Sequence, residues 1–165
     1  MNGSWFRTAM NVLNHGLKPA PMRKNLVVND KENDDDWSIC NDFNVGSKVY
    51  GDREITIMNL PSNLVNAETV RTACDSKMYT DNLAVFTANA DITVYAAVDK
   101  RVNSNLEWLK SWTRTSTVLN TSNGVELELF RLNAKSGETI ILGTNGGENE
   151  SANYIVFVLP QEAYF

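Results

Sequence analysis

From Lys48 onward the apolar positions tend to recur at every second residue, the period of a strand that covers one face and exposes the other. Ile55 and Ile57, with Leu60 nearby, lie among the polar Glu54, Thr56 and Asn59. Leu83, Val85 and Thr87 alternate with Ala84 and Phe86, and Ile92, Val94, Ala96 and Val98 alternate with Thr93, Tyr95 and Ala97. The cleanest alternation is Val125, Leu127 and Leu129 around Glu126 and Glu128, which predicts a half-buried strand. Ile140–Leu142 and Tyr154–Leu159 are short apolar runs rich in β-branched residues. Turn-forming clusters separate these segments: Asn44–Ser47, Leu60-Pro61-Ser62-Asn63, Asn89-Ala90-Asp91, Ser122-Asn123-Gly124, Ser136-Gly137 and Gly143–Gly147. Strands this closely spaced, with no long amphipathic helix between them, predict an all-β fold. The expected form is an antiparallel β-sandwich, a jelly roll of about eight strands.

Residues 1–45 read differently. Trp5, Phe6, Met10, Val12, Leu13 and Leu17 fit one short helix ending near Gly16, and Pro19 and Pro21 break it. The run Asn29–Asp36 holds five acidic residues and reads as a solvated loop or linker. Its side chains are of the type that bind calcium, but it lacks the EF-hand spacing with central Gly and final Glu. The expected division is therefore an N-terminal extension and acidic linker over 1–45 and a β-sandwich module over 46–165.

Length and charge narrow the function classes. The 165 residues suffice for one domain with a real core. Twenty acidic residues against 15 basic ones give a net charge of −5. That argues against nucleic-acid binding by phosphate neutralisation and against a polybasic membrane anchor. No apolar run reaches the roughly 18 to 20 residues of a membrane span. The charge is uneven: residues 1–45 carry 5 bases and 6 acids, 46–114 carry 8 and 8, and 115–165 carry 2 and 6. No secretory signal precedes the domain, so the chain either stays where it is made or is an excised piece of a longer one. Cys40 and Cys74 lie in no CxxC or Cys/His pattern and read as two small buried thiols, with a disulfide as the alternative. The asparagines, about one residue in eight, suit polar turns and hydroxyl-binding surfaces.

Catalytic signatures are missing. The single histidine, His15, sits in the presumed N-terminal helix, and no Gly-x-Ser-x-Gly elbow accompanies it. Gly143–Gly147 lies between two strands rather than before a helix and reads as a β-turn. The chain is expected to be no enzyme and to need no cofactor, calcium being the one ion with suitable side chains. The concentrated signal is residues 95–114, which hold two of the four tryptophans, Trp108 and Trp112, beside Lys100, Arg101, Asn103, Asn105, Lys110 and Arg114. Indole faces stack on the CH groups of a pyranose, and Asn, Lys and Arg bond its hydroxyls. Arg or Lys also pairs with the carboxylate of a uronate. The competing reading is that the tryptophans close one end of the core, and that Asp52, Arg53, Asp99 and Arg101 form buried ion pairs pinning corners.

Four segments carry a resemblance: Lys48-Val49-Tyr50-Gly51-Asp52-Arg53, Arg71–Lys77, Asp91–Arg101 and Trp108-Leu109-Lys110-Ser111-Trp112-Thr113. The Gly143–Gly147 turn and the Tyr154–Val158 strand add to it. Together they resemble a non-catalytic carbohydrate-binding module appended to secreted bacterial pectin and plant cell-wall degrading enzymes, such as pectate or rhamnogalacturonan lyases and esterases. The resemblance spans about residues 46–160. It implies a β-sandwich, binding of a pectic or related polysaccharide, a catalytic domain in the same parent chain as partner, and an extracellular place of action. The expected contact residues are Trp108, Trp112, Tyr79, Arg101, Lys100, Lys110, Asn103 and Arg53. The alternative is a structural sandwich that packs against and stabilises a neighbouring catalytic domain.

Overall fold

The computed structural model describes residues 21–102 and 106–161. The helix expected near residues 5–17, with His15, and the contacts expected of Asn103 and Asn105 lie outside them. Among the described residues nine strands form two sheets: β1 (Arg23–Val28), β2 (Ser38–Cys40), β3 (Glu68–Arg71), β4 (Ala84–Ala88), β5 (Ile92–Asp99), β6 (Thr113–Asn120), β7 (Glu126–Ala134), β8 (Thr139–Leu142) and β9 (Ile155–Pro160). The smaller sheet has the order β1-β4-β8 and the larger β2-β3-β9-β5-β7-β6. All the paired strands are antiparallel. The expected antiparallel β-sandwich is the observed fold.

Its asymmetry explains the apolar pattern. One face of the larger sheet meets the smaller sheet. Val94, Ala96, Val98, Phe130 and Val156 pack there against Phe86, Ile140 and Leu142. The other face is covered by the chain between β2 and β3, which lays Phe43, Val49, Tyr50, Ile57 and Leu64 over Ala97, Leu127, Leu129 and Phe157. The inner strands of the larger sheet are therefore covered on both faces, and β9 is a continuous apolar run, buried from Ile155 to Val158.

Three expectations need correction. The sandwich does not begin at residue 46. β1 pairs with β4 and β2 with β3, and Trp37 and Phe43 lie in the cores. The acidic run between β1 and β2 is a tight connection: Asn33 Nδ2 donates to Asp30 Oδ2 at 2.9 Å, and Asp30 is buried. Gly51 is what lets it lie close, because a Cβ there would fall 2.0 Å from the Asp36 carbonyl oxygen. The segment around Ile55 and Ile57 makes only isolated bridges, Lys48 to Thr56 and Ile57 to Thr121; it works as a cover, and Pro61 ends it. Finally, β7 is not half-buried. Leu127 and Leu129 face the cover, while Glu128 is itself buried on the opposite face beside Phe130. Its carboxylate accepts from Arg114 Nε and, at 3.2 Å, from Nη2.

Candidate functional site

The tryptophan corner is built by a 3-10 turn, Glu107–Ser111, that leads into β6. Trp112 is buried, and the two indoles meet edge to face at 5.4 Å and 85°. Trp108 also lies 5.1 Å from the Tyr154 ring, and its Nε1 donates to the Thr144 carbonyl at 2.8 Å. A Cβ on Gly143 would fall 2.2 Å from Trp108 Cδ1, so the Gly143–Gly147 turn is shaped to the indole. Thr144 Oγ1 in turn donates to the Tyr79 carbonyl at 2.7 Å, tying in half-buried Tyr79. The three aromatics thus share one corner, but the indoles are perpendicular to each other, Trp112 buried and Trp108 half-buried, so they form no coplanar platform. Both indoles line a cleft of about 420 Å³, together with Asn82, Glu107, Ser111, Ile141 and Thr144.

The basic residues are dispersed by ion pairing. Arg53 Nη2 bonds Asp75 at 2.6 Å, and its Nη1 lies 3.2 Å from Asp52. Asp52 itself accepts from the Cys74 and Asp75 amides at 2.7 and 3.0 Å. Arg101 Nη2 bonds Asp99 at 2.7 Å, and that buried carboxylate also accepts from the Ala152 and Arg101 amides at 2.8 and 2.9 Å. Burial works to raise the Asp99 pKa, but the Arg101 hydrogen bonds and the two amides outweigh it, and the group sits below its ordinary value. The hydrogen bonds to Asp75 and Asp99 hold Arg53 and Arg101 charged at all ordinary pH. Lys110 pairs with Glu107 at 2.8 Å and Lys100 with Glu126 at 3.9 Å. Arg71 donates to the Lys48 carbonyl at 2.8 Å. Asp52 with Arg53 and Asp99 with Arg101 thus pair as the corner-pin reading expects, but only the carboxylates are largely buried: the Arg53 and Arg101 side chains are 37% and 57% exposed.

Cys40 and Cys74 are free, buried thiols. Burial and a hydrogen bond to Asp42 raise the Cys40 pKa, which keeps the thiol protonated. No group of three or more His, Cys, Asp or Glu side chains among the described residues is placed to hold a metal ion.

A second concavity, missed in the sequence, lies on the larger sheet beyond the edge of the cover. Thr93, Tyr95, Arg131, Asn133 and Leu159 line it. The in-register pairs Thr93–Asn133, Tyr95–Arg131 and Thr93–Leu159 put them on one face. The available signal was that Thr93 and Tyr95 break the apolar composition of β5 at alternate positions.

No protein-family model matches the chain, and no curated protein matches it at significance. Among solved structures it is similar to a β-glucuronidase from glycoside hydrolase family 2, with a TM-score of 0.78 and 22% identity over 88% of this chain and 15% of that one. It is also similar to a GH138 enzyme targeting pectin rhamnogalacturonan II, with a TM-score of 0.54 and 12% identity over 96% of this chain and 20% of that one. The structural neighbours are carbohydrate-active enzymes, and the shared feature is the sandwich fold. The chain spans less than a quarter of either neighbour's length.

Proposed function

We propose that this chain is a non-catalytic accessory domain of a larger carbohydrate-active protein, and that its main role is to pack against a neighbouring catalytic domain of the same polypeptide. The observation that carries this is the outer face of the smaller sheet. Val27, Val85 and Ile141 stand side by side in register across β1, β4 and β8. Val27 and Ile141 are 46% and 47% exposed. Three β-branched residues in a row on an open sheet face make a compact apolar strip, the kind of surface that a partner covers. The small share of either neighbour's length that the chain spans supports a covalently attached occupant. The tryptophan corner supports it too, because Trp112 is buried in the core and half-buried Trp108 packs against it.

The test is a comparison of melting temperatures. Expressed with the adjoining part of its parent chain, the domain should melt several degrees higher than alone. Val27→Lys with Ile141→Lys should abolish that rise and leave the isolated domain unchanged. Equal melting with and without the adjoining part overturns the reading, as does release of reducing ends from a polysaccharide by the isolated chain.

A second reading, targeting of an attached enzyme to a pectic or related cell-wall polymer outside the cell, is favoured by the corner cleft, which both tryptophans line beside the polar Asn82, Glu107, Ser111 and Thr144. Affinity gel electrophoresis against pectins, xylans, glucans and mannans tests it. Retardation by one polymer that Ser111→Trp or Asn82→Ala relieves supports this reading, and no retardation by any of them rejects it.

A further inference from the structure

We infer that the concavity on the larger sheet is a binding site for a single carboxylate-bearing sugar residue, a hexuronate. It lies on the face of the larger sheet turned away from both the smaller sheet and the tryptophan cleft, which Leu132, between Arg131 and Asn133, lines on the opposite face, and it stands independently of either. Three neighbouring strands build it. β5 supplies Thr93 and Tyr95, β7 supplies Arg131 and Asn133, and β9 supplies Leu159 and Pro160, while Asn63 and Gln161 reach its rim.

Charge is the first argument. In a chain of net charge −5, most of the basic side chains expected at a sugar site lie against carboxylates. Arg131 does not: among the described residues its guanidinium has no ion pair and no hydrogen-bond acceptor, and the lining of the concavity contains no carboxylate. A half-buried guanidinium with its planar fork free is suited to a bidentate carboxylate.

The rest of the lining selects a polyhydroxylated ligand over a simple anion. Thr93 Oγ1 donates to Asn133 Oδ1 at 2.8 Å, which fixes the amide and leaves its NH2 group as donor. Asn63, Gln161 and the Tyr95 hydroxyl add donors and acceptors around the same space. Leu159 and Pro160 provide an apolar surface for the CH face of a ring. The cavity measures about 110 Å³, below the roughly 300 Å³ at which pockets hold drug-sized ligands, so it takes one ring or a chain end. A site this small is expected to bind in the region of about 1 mM.

The probes are methyl glucuronoside and methyl galacturonoside, with methyl glucoside and sodium acetate as controls at constant ionic strength. Amide chemical shifts of the full chain are followed by NMR. At least one uronoside should shift residues around Tyr95 and Asn133. The glucoside and acetate should each bind about tenfold or more weakly, since each offers only half of the recognition. Arg131→Gln should lose about tenfold in affinity with an unchanged melting temperature, and the exposed Asn133→Ala should weaken binding by a smaller factor. The assignment is overturned if neither uronoside shifts these residues, if acetate or the glucoside binds as well, or if both variants retain full affinity. Should Arg131→Gln melt lower, Asn133→Ala alone decides: loss of affinity supports the site and full retention rejects it.

Discussion

Trp108 and Asp99 show how single residues in this chain are committed to structure. Trp108 touches Trp112, Tyr154 and Gly143 and bonds the Thr144 carbonyl, so the indole is the meeting point of the 3-10 turn, the Gly143–Gly147 turn and the residue that leads into β9. Gly143→Ala is therefore expected to push the indole out of its seat, because the added carbon would overlap it. The destabilisation should be about 1–3 kcal/mol, typical of overpacking, and a red shift in tryptophan emission should accompany it. Trp112→Ala should cost more, about 3–5 kcal/mol for a buried indole, by chemical denaturation. Asp99 sets an acid limit. Its folded pKa lies below the unfolded value, so its stabilisation is present above pH about 4 and is lost as pH falls through the folded pKa. Denaturation midpoints measured from pH 7 down to pH 2 should show this fall, and Asp99→Asn should start lower at pH 7 and fall less. A variant that tracks the parent in parallel down to pH 2 refutes that assignment. At this scale the sequence was informative: the aromatic corner and the two Asp-x-Arg and Asp-Arg pairs were visible as residue types. Which way the indoles face was not, because that depends on the Gly143–Gly147 turn some 35 positions away.

The elements were legible in proportion to how much apolar surface each one buries on its own. β4, β5, β8 and β9 carry strong apolar signals and lie close to where the pattern put them. β2 and β3 have three and four residues, too short for a period to register. β1 and β6 are edge strands, mostly polar or half-exposed, and both are interrupted by register shifts where Asn25 and Ser116 take positive φ. Such strands are held by a neighbour's backbone rather than by their own pattern, and so the acidic stretch between β1 and β2 carries the sequence pattern of a linker. The consequence is testable. A chain starting at residue 46 would lack β1, β2, Trp37 and Phe43, leaving β3 and β4 each with an open edge. It should aggregate or lose its cooperative melting transition, whereas cooperative unfolding with unchanged midpoint would show that the two strands are dispensable.

At the scale of the whole molecule, the larger sheet is a partition between two cores, and one buried tyrosine anchors each. Tyr154 belongs to the core between the sheets and donates to the Gly143 carbonyl at 2.7 Å; Tyr50 belongs to the core under the cover and donates to the Asn153 carbonyl at 2.6 Å. The two residues thus join both cores to the one stretch that runs from the Gly143–Gly147 turn into β9. Burial raises both hydroxyl pKa values well above the ordinary tyrosine value. In the unfolded chain both titrate near 10. Their contribution is therefore complete below pH about 10 and declines as pH rises further, because the unfolded state alone can release the protons. Urea denaturation between pH 8 and pH 11.5 should show stability falling steeply at the top of the range. Tyr154→Phe should cost about 1 kcal/mol at pH 8 through the lost hydrogen bond, yet reduce the alkaline slope by close to one proton's worth. Tyr50→Phe should do the same for the other core. If the two cores unfold as one unit, the double variant will flatten the slope by the sum of the two and keep a single transition. Two separate transitions, each sensitive to only one substitution, would mean that the sheet divides the molecule into independently melting halves.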